Sequence, residues 1–151
     1  MHPVERALLS LVSTSGGNTI VESTVLEHGR PFIGMKRPKN YRPRAIKECF
    51  SNAGNLACEE RGVYVEGFVI VPNLGGLTHH AWITIDGIYA IDVTLRSHIP
   101  DCLYFGIPFS LEVLRQAISL RGKCILIDAI YGKDEIDKLL ENNRLHPPAF
   151  P

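Results

Sequence analysis

The chain has no run of 18 uninterrupted apolar residues, so no segment is expected to cross a bilayer. The opening Met1-His2-Pro3-Val4-Glu5-Arg6 carries an acid and leads into a short apolar run ending at Val12. It lacks the long apolar segment and small-residue cleavage site of a secretion signal, and the expected location is cytoplasmic. Cysteine is scarce: Cys49, Cys58, Cys102 and Cys124 show no CxxC spacing. At 151 residues the chain is long enough to build a core without a disulfide framework, and none is expected. Most free cysteines are small buried apolar side chains, so a chemical role for any of them needs a separate argument. No internal repeat and no low-complexity segment divides the chain, which reads as one domain over residues 1–151.

Net charge is also missing. Sixteen basic residues balance sixteen acidic ones, which gives no reason to expect a nucleic-acid partner. The balance is local as well as global in only part of the chain. Arg30, Lys36, Arg37, Lys39, Arg42, Arg44 and Lys47 fall in one stretch that contains no acid. That stretch reads either as a solvated, proline-broken loop or as a basic rim that attracts an acidic substrate or partner. The apolar share of 45% and charged share of 21% are those of a soluble globular protein.

Periodicity predicts a short helix over 4–12, with Val4, Leu8, Leu11 and Val12 on one stripe, and a β-branched strand over 19–26. Residues 29–43, with three prolines and two glycines, read as irregular. Pro43 or Arg44 then opens the main helix, which runs to about Glu60 with Ile46, Phe50, Ala53 and Ala57 as its apolar stripe. Strands are expected over 63–71, 78–85 and 88–95, the last two flanking a turn at Asp86-Gly87. A strand over 103–105, a helix capped by Ser110 and ending near Leu120, a strand over 124–127 and a helix over 133–142 follow. His146 to Pro151 is a tail. The order predicts an α+β domain with a helix laid on one face of an antiparallel sheet.

A nucleophilic cysteine needs a thiolate, a base to take its proton and a group that holds the base in one tautomer. The chain offers these in order: Cys49 in the first turns of a helix, His80 on one strand and Asp92 on the next. Arg44 and Lys47 lie close in sequence and favour negative charge at Cys49. Zinc held by Cys49, Cys58, His79 and His80 is the competing use of these residues. Nine residues of helix separate the two cysteines by about 13.5 Å, too far for one ion with zinc–sulfur bonds of about 2.3 Å. Trp82, two residues beyond His80 on the same strand face, either walls the cleft or belongs to the core. For the oxyanion, the backbone N–H of Cys49 is the first expected donor, and the side chain of Asn40 or Tyr41 the second.

Cys49-Phe50-Ser51-Asn52-Ala53-Gly54-Asn55-Leu56-Ala57, followed by Arg61-Gly62-Val63-Tyr64-Val65-Glu66-Gly67, resembles the nucleophile helix and next strand of transglutaminase-like proteins. His80-Ala81-Trp82 and Ile91-Asp92-Val93-Thr94 are similar to the histidine and aspartate strands of that superfamily. Two positions differ from it: Glu48 stands before Cys49 and Val93 follows Asp92, where the family often has glycine and proline. The resemblance implies a papain-like, transglutaminase-core fold and a thioester acyl-enzyme, with no metal or organic cofactor. It implies protease, deamidase or transglutaminase-type chemistry on a protein or peptide substrate. The alternative is a non-catalytic binding module that keeps the fold and docks through the basic 30–47 segment.

The histidine assignment also constrains the hairpin. Neighbouring strand residues point to opposite faces, so only one of His79 and His80 shares a face with Asp92. A two-residue Asp86-Gly87 turn would select His79. The His-Ala-Trp resemblance implies His80, and with it one extra residue in the hairpin, as a glycine bulge turn that sets His80 directly across from Asp92 or as a strand bulge.

Overall fold

In the computed structural model, which describes residues 1–144, the elements are helices α1 (Pro3–Thr14) and α2 (Ile20–His28), strand β1 (Arg30–Gly34) and helix α3 (Cys49–Cys58). Strands β2 (Val63–Ile70), β3 (Thr78–Thr84), β4 (Tyr89–Ala90) and β5 (Leu103–Phe109) and helices α4 (Leu111–Arg121) and α5 (Gly132–Asn142) complete them. The tail expected over His146–Pro151 lies outside the described residues. No described helix is long and apolar enough to cross a membrane.

The five strands form one sheet in the order β3-β2-β5-β1-β4. Every pair is antiparallel except β1 with β4, so the sheet is mixed where an antiparallel one was expected. It curls far enough that its two ends touch: Ile83 at the end of β3 exchanges backbone hydrogen bonds with Ile91 just after β4. Gly67 on β2 stands between His80 on β3 and Gly106 on β5. A Cβ at Gly67 would lie 2.2 Å from the carbonyl oxygen of Phe105, and one at Gly106 would lie 2.8 Å from the rim of Trp82. Glycine at both positions permits the curl.

The helices cover the outer face. Val4 and Leu8 of α1, Val25 of α2, Leu56 of α3 and Leu114 of α4 pack with Tyr64, Phe68, Ile83 and Phe109 of the strands. Burying a leucine such as Leu56 contributes about 1.5–3 kcal/mol. The inner face encloses a smaller cluster of Phe32, Val65, Val69, Trp82 and Tyr104.

Several segments differ from expectation. The stretch 19–26 is not a strand: Thr19 caps α2 and the rest lies within it. The Asn18 side chain accepts from the N–H of Ile20, and Thr24 and Val25 are buried against the sheet, so tertiary packing overrides β-branched propensity. The stretch read as irregular contains β1, and Pro31 is tolerated there because β4 pairs only with Ile33 and Gly34. The main helix starts at Cys49, not at Pro43 or Arg44. Lys47 has a left-handed backbone at φ 63°, and Ile46 is 60% exposed instead of lying on the buried stripe. Cys124–Ile127 is not a strand: the N–H groups of Leu126 and Ile127 donate to the buried Glu66 carboxylate at 2.8 and 2.7 Å.

Candidate active site

Cys49 is the first residue of α3, 9% exposed, with its backbone N–H among those a helix leaves without an intrahelical acceptor. The starting point of the helix is therefore closer to Cys49 than the sequence indicated, and the positive end of the helix dipole falls on it. Asn52, one turn on, is buried. Its Nδ2 donates to the carbonyl of Ala45 at 2.8 Å and to Thr94 Oγ1 at 2.9 Å, which fastens the helix start to the approach loop and to the turn after Asp92. A second fastening is backbone: the N–H of Arg44 donates to the carbonyl of Val93 at 2.8 Å.

His80 and Asp92 meet on the inner side of the curled sheet. His80 Nε2 lies 2.7 Å from Asp92 Oδ2, and both residues are buried. Asp92 is held from all sides. Its Oδ1 accepts from the N–H groups of Thr94 and Leu95 at 2.9 and 3.0 Å, and its Oδ2 also accepts from the hydroxyl of Tyr104 at 2.8 Å. Burial works against the carboxylate, but the His80 charge and these hydrogen bonds outweigh it and hold Asp92 below the usual carboxylate range. Burial likewise opposes the imidazolium, yet the Asp92 charge and hydrogen bond, with a smaller contribution from Cys49, raise His80 to about 9. Because Nε2 faces Asp92, Nδ1 is the ring nitrogen left to face Cys49.

The hairpin parity places His80 on the face of Asp92, while the register differs from the direct opposition expected. Continuing the Ile83–Ile91 bridge sets Trp82, not His80, across from Asp92, so His80 approaches diagonally. The strand expected over 88–95 shortens to Tyr89–Ala90 because Asp92 spends its carboxylate on the following turn and its neighbours leave the ladder. His79 points the other way, 3.2 Å from Glu66 Oε2 and between the rings of Phe50 and Phe68.

Three site residues fall elsewhere. Tyr41 donates its hydroxyl to the carbonyl of Arg61, beyond the C-terminal end of α3, and its ring lies 4.7 Å beneath the Arg61 guanidinium. The backbone carbonyl of Asn40 accepts from the same guanidinium. The ten-residue helix separates that end from Cys49 by about 13.5 Å, so neither Asn40 nor Tyr41 is placed as an oxyanion donor. Trp82 is 1% exposed and belongs to the inner core, not to a substrate rim. Its ring stacks behind His80 at 6.3 Å and meets Tyr104 edge-on at 4.9 Å.

Tyr104 and Asn52 escaped the sequence reading. Tyr104 is 12 residues from Asp92 on a different strand, and only strand alternation hinted that it faces inward. Asn52 lies one turn after the cysteine and off the expected stripe of Ile46, Phe50, Ala53 and Ala57, so periodicity gave no sign that it is buried. A cleft of about 490 Å³ lined by Tyr41, Ala57, Arg61, Tyr64 and Phe109 opens at the opposite end of α3, away from Cys49. Comparison with family models, curated proteins and solved structures returned no match.

Proposed function

We propose that the chain is a cysteine acyl-transfer enzyme acting on an amide bond of a protein or peptide, with Cys49 as nucleophile, His80 as proton carrier and Asp92 as its orienting carboxylate. The observation that carries this reading is the Asp92–His80 pair at 2.7 Å, with the free face of the imidazole toward a cysteine at a helix start. A helix beginning at the nucleophile, packed on a curled sheet with the histidine on one strand and the aspartate in the turn just after another, also agrees with the papain-like, transglutaminase-core arrangement.

The Cys49 sulfur attacks the carbonyl carbon, and the oxyanion meets the backbone N–H of Cys49. Collapse of the tetrahedral intermediate breaks the C–N bond, and His80 gives its proton to the departing amine or ammonia. Water or a second amine then attacks the thioester, His80 takes its proton, and the sulfur leaves. Asp92 keeps the imidazole in one orientation and stays ionised throughout. Lys47, two residues before Cys49, is exposed, as are Lys36, Lys39 and Arg42, and this basic rim favours acidic sequence around the scissile amide.

The test is interception of the thioester. Hydroxylamine added with glutaminyl peptides, isopeptide-linked peptides and acidic protein substrates should yield a hydroxamate with the wild-type chain and none with Cys49→Ala. Equal yields from the two proteins, or none from either with any substrate class, would contradict the proposal.

A further inference from the structure

Asp92 Oδ2 accepts two hydrogen bonds of nearly equal length, from His80 Nε2 at 2.7 Å and from the Tyr104 hydroxyl at 2.8 Å. The tyrosine comes from β5, two strands away from β3, and is fully buried. Its ring is fixed edge-on against Trp82 at 4.9 Å and lies 6.5 Å from the His80 ring. Burial beside the Asp92 carboxylate pushes the phenol far up, so its oxygen keeps its proton and acts as a donor.

We propose that Tyr104 is a positioning residue that fixes Asp92 Oδ2 where His80 Nε2 meets it and draws off part of the carboxylate charge that the imidazole would otherwise feel. The inference rests on the reading of His80 and Asp92 as parts of one site. The two N–H donors of Thr94 and Leu95 hold Oδ1 only, so without Tyr104 the oxygen that faces the histidine has no second anchor. A carboxylate oxygen that loses one donor becomes a stronger partner for the remaining one, because its charge is less dispersed. Tyr104 thus limits how tightly Asp92 holds the proton on His80, and so how readily His80 releases it.

The charged and titratable groups facing this pair are few. Cys49 faces the imidazole, and Cys102 lies near Asp92 with its thiol directed to the carbonyl of His98. None of them stands between Tyr104 and Asp92, so the hydroxyl can be altered without changing another charge.

The experiment is an NMR titration of His80 in the full chain, with the exposed His98 as internal reference. Tyr104→Phe removes the hydroxyl and keeps the ring; it should move the His80 midpoint upward by roughly 0.5–1 pH unit and leave the reference in place. Uniform 3-fluorotyrosine, a stronger donor of the same shape, should move the same midpoint downward. It provides the second measurement if the phenylalanine variant does not fold. A midpoint that stays in place in either sample, or that moves in the same direction in both, overturns the proposal. Neither sample relies on turnover or on the thiol. Failure here leaves the acyl-transfer reading untouched, and an unreactive Cys49 leaves this one untouched.

Discussion

The amide of Asn52 donates to the hydroxyl of Thr94 at 2.9 Å, tying the helix that begins with Cys49 to the turn that carries Asp92. Both residues are buried, and the same amide holds the carbonyl of Ala45 on the loop before Cys49. Asn52→Ala leaves that carbonyl and the Thr94 hydroxyl unpaired and should cost about 1–3 kcal/mol. The geometric consequence is separate: Cys49 reactivity should fall even at temperatures where the variant is fully folded. Urea unfolding and thiol alkylation on the same sample measure the two effects.

The pH dependence of stability follows from the directions of the two shifts. His80 is raised, so its contribution is fully present below the ordinary imidazole value of 6.5 and is lost as pH rises to about 9. Asp92 is lowered, so its contribution is present above the ordinary carboxylate value of 3.8 and is lost as pH falls. Both contributions are present between those ordinary values. Asp92→Asn removes the attraction that keeps the proton on His80. Its stability deficit against wild type should be larger at pH 6 than at pH 9.5, as read by urea unfolding at the two pH values.

The basic rim is testable with reagents that differ only in charge. Iodoacetate should alkylate Cys49 faster relative to iodoacetamide at low salt than at high salt. Reversing Lys36, Lys39 and Lys47 to glutamate should abolish that dependence. A rate ratio indifferent to salt in the wild-type chain would make the 30–47 segment an ordinary solvated loop.

Gly54 is a less obvious support of the site. It lies in the middle of α3, where alanine normally stabilises a helix by about 1 kcal/mol. A Cβ there would sit 2.4 Å from the sulfur and 2.8 Å from the Cβ of Cys124. Gly54→Ala should therefore lower the melting temperature, and adding Cys124→Ala should restore part of the loss. A melting temperature unchanged or raised by the single substitution would contradict this packing.

The proposed catalytic set was legible because each member lies in or beside a strong local pattern. Cys49 precedes an apolar helical stripe, His80 lies in an alternating strand, and Asp92 follows a turn signal. The His80–Asp92 face parity could be reasoned from hairpin geometry, although the diagonal register could not. Residues whose role depends on distant chain were not legible. Glu66 reads as one polar residue in an apolar strand, yet it binds Tyr64, His79, Leu126 and Ile127 from 2 to 61 positions away. The 124–127 stretch looked like a strand because its apolar pattern says nothing about a carboxylate waiting for its N–H groups. Residues 19–26 misled in the opposite way: β-branched side chains suit a strand, and burial of one helical face outweighs that preference. Tyr41 looked available to Cys49 because sequence proximity hid that the loop runs back along α3 to the Arg61 carbonyl.

Cys49 is the reactive thiol of this account, and thiol-resolved alkylation tests that claim most directly. Exposure alone ranks Cys58 and Cys124, both partly accessible, ahead of Cys49, which is 9% exposed. Iodoacetamide near neutral pH, followed by mass spectrometry of each cysteine peptide, should nevertheless modify Cys49 at least tenfold faster than the other three. His80→Ala should remove that advantage and His79→Ala should keep it. Four thiols reacting in order of their exposure, with no response to His80, would contradict the account.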